Sequence, residues 1–143
     1  MLHGNSLDTL FVVKDTTTRR VSSAAVDGSN MDSITIPPKE TATIFDVRGA
    51  GIIRHIWCTL SCHGESPLTA HALRMYWDGE ESPSVEVPLG DFFGIGGGVS
   101  KNFLSEPLQM CPQDGRAFNC FFPMPFGSGA RITVENETDA RTS

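Results

Sequence analysis

The feature that most constrains this chain is a two-residue rhythm. In "HALRMYW", Leu73, Met75 and Trp77 alternate with Ala72, Arg74 and Tyr76. "ARITVEN" sets Ile132 and Val134 against Arg131, Thr133 and Glu135. "TATIFDV" places Thr43, Phe45 and Val47 on one face and Ile44 and Asp46 on the other. "GIIRHIWCTL" puts Ile52, Ile56, Cys58 and Leu60 on one side, with Arg54 as the exception, and Ile53, His55, Trp57 and Thr59 on the other. Successive side chains of a strand point to opposite faces, so this rhythm specifies half-buried β-strands. Turn-forming clusters separate the runs: "DGSN", "IPPKE", "RGAG", "CHGESP", "DGEESP", "GIGGG", "CPQDG" and "FGSG". They recur roughly every 10–15 residues, close to the spacing of a sandwich or barrel. No helix longer than a turn or two is expected. The best candidate is "SLDTLFVVKD", with Ser6 as its N-cap. The expected fold is an all-β sandwich of two antiparallel sheets in jelly-roll order.

Size and charge narrow the functions. A chain of 143 residues, 39% hydrophobic, with nine Phe and two Trp, can bury a core of ordinary domain size. The net charge of -6 is spread without a basic patch, which argues against nucleic acid, since binding it requires clustered Lys and Arg. No apolar run approaches the ~20 residues of a membrane helix. "MLHGNSLDTLFVV" lacks a basic start and a sustained apolar segment, so it does not read as a signal peptide, and a cytoplasmic location is expected.

Without an export signal, Cys58, Cys62, Cys111 and Cys120 read as free, mostly buried thiols. "CTLSC" followed by His63 has the look of a metal half-site, but zinc sites favour tighter pairs and a matching second pair. His55, His63 and His71 form no HxH pair. No metal and no cofactor is expected.

The polar motifs divide between structure and function. In "YWDGEESPSVEVPLGDFFG", Asp78-Gly79 supplies a turn that tolerates positive φ, and Glu80 and Glu81 read as solvated turn charges. Glu86 alternates with Val85 and Val87 as a strand-surface charge. Asp91 stands between Gly90 and the pair Phe92-Phe93, where aromatics would exclude water and a carboxylate would need partners. Those partners are either sugar hydroxyls or backbone N–H groups. In "RHIWCTL", Arg54, His55 and Trp57 offer a donor, a titrating group and a flat apolar surface, a set suited to carbohydrate. The structural alternative is a core Trp57 beside a solvated His55. "GDFFGIGGGVSK" lacks the GKS or GKT ending of a phosphate loop and reads as a loop over a site. No GxSxG elbow is present, and Asn136-Glu137-Thr138 is a glycosylation sequon relevant only in a secreted protein.

Five segments then form a pattern: "NSLDTLFVVKDTTTRRVSSAAVDGSNMDS", "GAGIIRHIWCTL", "LRMYWDGEESPSVEVPLGDFFG", "CFFPMPF" and "ARITVEN". In order and spacing they resemble the N-terminal part of glycoside hydrolase family 172, over nearly the whole chain. The resemblance implies the first of two jelly rolls, assembled into homo-oligomers. It implies a retaining activity on furanosides, either fructofuranosides (difructose anhydride among them) or arabinofuranosides, without a metal. The family's catalytic carboxylates belong to a later segment with "GEGDE"-like and "GTGTEDYF"-like motifs, neither of which occurs here. The second of these parallels "DGEESPSVEVPLGDFFG", so that the catalytic Glu position falls on Gly90 and Asp91-Phe92-Phe93 matches the following Asp-Tyr-Phe. "SSAAVDGSNMDS" keeps Asn30 and Asp32 but has Ser33 where the family tends to carry an aromatic.

The expectation is therefore a single N-terminal jelly-roll domain over residues 1–143, belonging to a longer parent protein because the chain stops just after a strong strand. It would frame a sugar site and an oligomer interface while a C-terminal jelly-roll half supplies the acids. Asn30, Asp32, His55, Trp57, Asp91 and Phe92 are the candidate contacts for furanoside or for the neighbouring subunit. The alternative is a stand-alone carbohydrate-binding or capsid-like assembly module.

Overall fold

The computed structural model describes residues 11–62 and 68–143. It is all-β. The strands are β1 (Thr41–Arg48), β2 (Gly51–Ile53), β3 (Ile56–Cys58), β4 (His71–Trp77), β5 (Val85–Pro88), β6 (Phe103–Leu104), β7 (Leu108–Met110), β8 (Phe118–Cys120), β9 (Met124–Phe126) and β10 (Gly129–Asn136). The helical content is one turn, α1 (Leu89–Phe92), and a 3-10 turn at Gly96–Gly98. Of the helix expected near the start, Ser6–Leu10 lies outside the described residues, and residues 11–15 carry none. No helix among the described residues is long and apolar enough to cross a membrane.

Two four-stranded antiparallel sheets, ordered β1-β10-β4-β5 and β3-β8-β7-β6, form the sandwich, and a short β2-β9 ladder accompanies them. The first sheet turns Leu73, Met75, Ile132 and Val134 inward; the second contributes Phe118, Met110 and Cys120 to the same core. Between them α1 sets Leu89 and Phe93, four positions apart and both buried, against that core. Phe93 meets Phe118 at 5.5 Å between ring centroids, and burying a ring of this size contributes on the order of 2–3 kcal/mol.

Two expected faces are corrected. In β1 the register slips between Thr43 and Phe45, so Ala42, Phe45 and Val47 lie opposite the inward-facing Val134, Ile132 and Ala130, while Thr43 joins the outer row with Thr133. A bulge adds one residue to a strand and so inverts its alternation. The second break falls at Arg54-His55. There β2 ends and β3 begins, with two residues facing three (residues 121–123) on the partner strand. Ile53 is consequently buried and Ile52 is 46% exposed, whereas Ile56 and Cys58 pack on the core as expected.

The final strand does not sit at an edge. β10 lies between β1 and β4, and beyond it Thr142 bridges both Ile36 and Cys62. Asn136, fully buried, organises this return. Its Nδ2 donates to the carbonyls of Ile36 (3.0 Å), Pro37 (3.2 Å) and Ala140 (2.8 Å), and its Oδ1 accepts from Thr138 N (3.0 Å) and Oγ1 (2.7 Å). His71 Nε2, also buried, pairs with Thr142 Oγ1 at 2.9 Å. The sequon asparagine is thus a structural clasp, with its amide turned away from solvent.

Candidate functional site: an uncharged aromatic and amide face

In the second sheet the register dictates what faces out. Trp57 pairs with Asn119, Asn119 with Gln109, and Gln109 with Leu104. These four make one row across β3, β8, β7 and β6, opposite in sense to the inward Cys58, Phe118 and Met110. The row contains no charge. Trp57 is 59% exposed, so its indole is offered to solvent rather than spent on the core.

One row along, His55 stacks on Phe121 with ring centroids 4.4 Å apart and planes 1° from parallel. His55 Nε2 lies 3.1 Å from Asn119 Oδ1. The amide oxygen accepts, so Nε2 carries the proton and the ring is held across the β3–β8 ladder. Asn119 Nδ2 has no partner among the described residues and is available as a donor. The arrangement combines flat apolar rings with neutral donors and acceptors, the pairing that a sugar's C–H faces and hydroxyls require.

The other candidates are placed elsewhere. Asp91 is exposed on α1, with no side-chain hydrogen bond among the described residues. The expectation that aromatics shield it is corrected. The single helical turn aims Leu89 and Phe93 at the core, which leaves Asp91 on the solvent side. Phe92 is half-buried, edge-on to Phe93 at 5.0 Å. It lines an open apolar groove of about 380 Å³ with Met75, Trp77, Val85 and Phe122. Asn30 is exposed in a turn. Asp32 closes the loop that holds it: its Oδ1 accepts Ala25 N at 2.9 Å and its carbonyl accepts Ser23 Oγ at 2.7 Å. His55 and Trp57 therefore share a face, Asp91 and Phe92 share a helical turn with different outlooks, and Asn30 and Asp32 share an N-terminal loop.

The acidic turn is structural in detail. Asp78 and Gly79 adopt φ of 54° and 86°, and Glu80 N donates to Trp77 O at 2.9 Å. This is the turn geometry for which Asp-Gly is suited. The Asp78 carboxylate collects the N–H groups of Gly127 (2.9 Å), Ser128 (2.6 Å) and Gly129 (3.2 Å), and these bonds hold its pKa below the usual carboxylate range, with Ser128 first. Glu80 is tied as well, accepting Ser84 Oγ at 2.6 Å and Trp77 N at 3.3 Å. On the outer face of the first sheet, Arg74 bridges Glu86 (2.6 Å) and Glu135 (2.5 Å), and these carboxylates, Glu86 foremost, hold its guanidinium firmly protonated.

Gly90 has a specific reason to be glycine. A Cβ there would meet Leu68 Cβ at 2.8 Å, Leu68 O at 3.0 Å and Ile95 O at 3.2 Å. The position that aligns with a catalytic Glu in the resemblance therefore has no room for any side chain.

No disulfide forms among the described residues, and of the four cysteines expected to be mostly buried, Cys120 is buried whereas Cys58, Cys62 and Cys111 are half-buried. Cys58 faces the core, and burial pushes its pKa up to about 12. Among the described residues no group of three or more His, Cys, Asp or Glu converges as a metal site would; His63 lies outside those residues.

Residues 27–143 match a family model described as GH172 domain-like. The chain belongs to this family. It is accordingly a glycoside-hydrolase-related domain, and the all-β sandwich agrees with that membership. No curated protein matches the chain. Sequence reasoning missed Asn119 and Phe121. The alternation of "FNCFF" carried a signal for both, but their meeting with Trp57 and His55 depends on the β3–β8 register.

Proposed function

We propose that this chain is the sugar-framing domain of a furanoside-acting, retaining glycoside hydrolase. In this reading it is the first of two jelly rolls in a homo-oligomer, with the catalytic carboxylates in a C-terminal half. The observation that carries it is the uncharged outer face around Trp57 and His55 in a chain of a glycoside-hydrolase-related family. Support for the non-catalytic part comes from the acids themselves. Retaining hydrolysis uses two carboxyl groups about 5–5.5 Å apart, one as nucleophile and one as acid/base. Asp78, Glu80, Glu86 and Glu135 are each occupied by a structural partner, and Gly90 cannot be an acid.

The test is calorimetric titration of the chain with arabinofuranosides and fructofuranosides, run beside a hydrolysis assay. Binding without turnover is expected. Cleavage driven by the chain's own carboxylates would overturn the division of labour. A second reading, an assembly module, is favoured by one observation: Leu104 and Val99 are 72% and 62% exposed. Self-association measured by light scattering, with no sugar binding, would decide for it.

A further inference from the structure

We infer that the outer face of the β3-β8-β7-β6 sheet is a two-ring platform for an oligosaccharide, with Trp57 holding one sugar ring and the Phe121–His55 stack holding the next. The inference rests on the sugar-binding reading above and specifies the ligand class and the division of contacts. Three features of the face lead to it. Trp57 and Phe121 are both exposed aromatics outside the core cluster, so neither surface is needed to hold the sandwich together. Trp57 stands on β3, while Phe121 directly follows β8 and stacks on His55, two residues before Trp57. Two separate aromatic surfaces are thus offered beside one another. Lastly, Asn119 is opposite Trp57 in register and bonded to His55, the ring on which Phe121 stacks, so one amide adjoins both aromatic surfaces. Its Nδ2 has no partner among the described residues and can donate to a sugar oxygen.

The cross-strand row of Trp57, Asn119, Gln109 and Leu104 contains neither a cationic nor an anionic side chain. Its chemistry is that of stacking plus neutral hydrogen bonding. A second copy of the chain could also cover an apolar face, but the two amides in the row, Asn119 and Gln109, would then need partners or be desolvated at a cost.

The experiment is a chain-length series on the full chain. Arabinofuranosyl and fructofuranosyl oligosaccharides of one to four rings are titrated calorimetrically into the wild type, Trp57→Ala, Trp57→Phe and Phe121→Ala. The expected result is affinity about three- to tenfold higher for two rings than for one, as one added aromatic contact provides, with little gain beyond. Phe121→Ala should erase that gain, so that one-ring and two-ring ligands bind with the same affinity. Trp57→Ala should weaken both, and Trp57→Phe should restore most of the loss. Far-UV circular dichroism checks that each variant is folded. Equal affinity for one and two rings, or a gain that survives both alanine substitutions, would overturn the two-ring platform while leaving sugar binding intact. No binding of any sugar would overturn the underlying reading as well. A dimer that Trp57→Ala dissociates would assign the face to a second copy instead.

Discussion

Asn136 offers the sharpest stability prediction, because one amide serves five groups. Asn136→Ala removes the donor shared by the carbonyls of Ile36, Pro37 and Ala140 and the acceptor used by Thr138 N and Oγ1. The site is buried, so water cannot simply replace the lost partner. At about 1 kcal/mol net for each bond, with two amide protons shared among three carbonyls, the expected loss is about 3–4 kcal/mol. That is a large fraction of the ~5–15 kcal/mol that holds an ordinary domain together. Urea unfolding followed by circular dichroism measures it. Asn136→Asp is the more searching variant. It preserves shape and the acceptor oxygen but turns a carboxyl oxygen toward three carbonyls, which favours the protonated acid and raises its folded pKa. A raised folded pKa means that the folded state binds more protons than the unfolded one, so stability falls as pH rises. Asn136→Asp should therefore be closer to wild type at about pH 5 than at about pH 8, while the deficit of Asn136→Ala stays level. A loss under about 1 kcal/mol for Asn136→Ala, or a pH dependence of the opposite sign, would refute the clasp.

Gly90→Ala should cost about 1–3 kcal/mol through overpacking against Leu68 and Ile95, seen as a lower urea midpoint with an unchanged slope. Asp78→Asn should lower stability at about pH 7. Because the folded pKa of Asp78 is depressed by the N–H groups of Ser128 and Gly127, its stabilisation is present above the unfolded carboxylate value and lost as pH falls through the folded one. The gap between variant and wild type should accordingly close in acid. Cys58, with its pKa pushed up to about 12, should resist iodoacetamide in the folded chain and react once urea unfolds it, as peptide mapping by mass spectrometry would reveal.

Much of the fold was legible because burial imposes a period. Leu73, Met75, Ile132 and Val134 face the core as their alternation requires, and Asp78-Gly79 turns where its backbone freedom permits. What the sequence concealed are the places where a residue is gained or a strand breaks. The slip between Thr43 and Phe45 reverses one face, and the break at Arg54-His55 exchanges Ile52 for Ile53. A bulge changes the pleat without changing composition, so alternation alone cannot locate it. The candidate site divides in the same way. His55, just before β3, and Trp57, within it, are two residues apart and were visible together. Asn119 and Phe121 are more than sixty residues away and join them only through β-pairing. Asp91 misled for a local reason: flanking aromatics imply shielding only if they point the same way, and the turn of α1 sends Phe93 inward while Asp91 faces out. The partners of Asp78, the N–H groups of residues 127–129, were hidden because they are distant in sequence.

The most direct test uses the fact that the chain has only two tryptophans, Trp57 and Trp77. In a nitrogen-15 correlation spectrum their indole N–H groups give two signals, one from the outer face of β3 and one from the apolar groove lined by Phe92. Titration with a two-ring furanoside should shift the Trp57 signal, together with the Asn119 side-chain amide, and leave Trp77 in place. Movement of Trp77 alone, or of neither, would contradict the account.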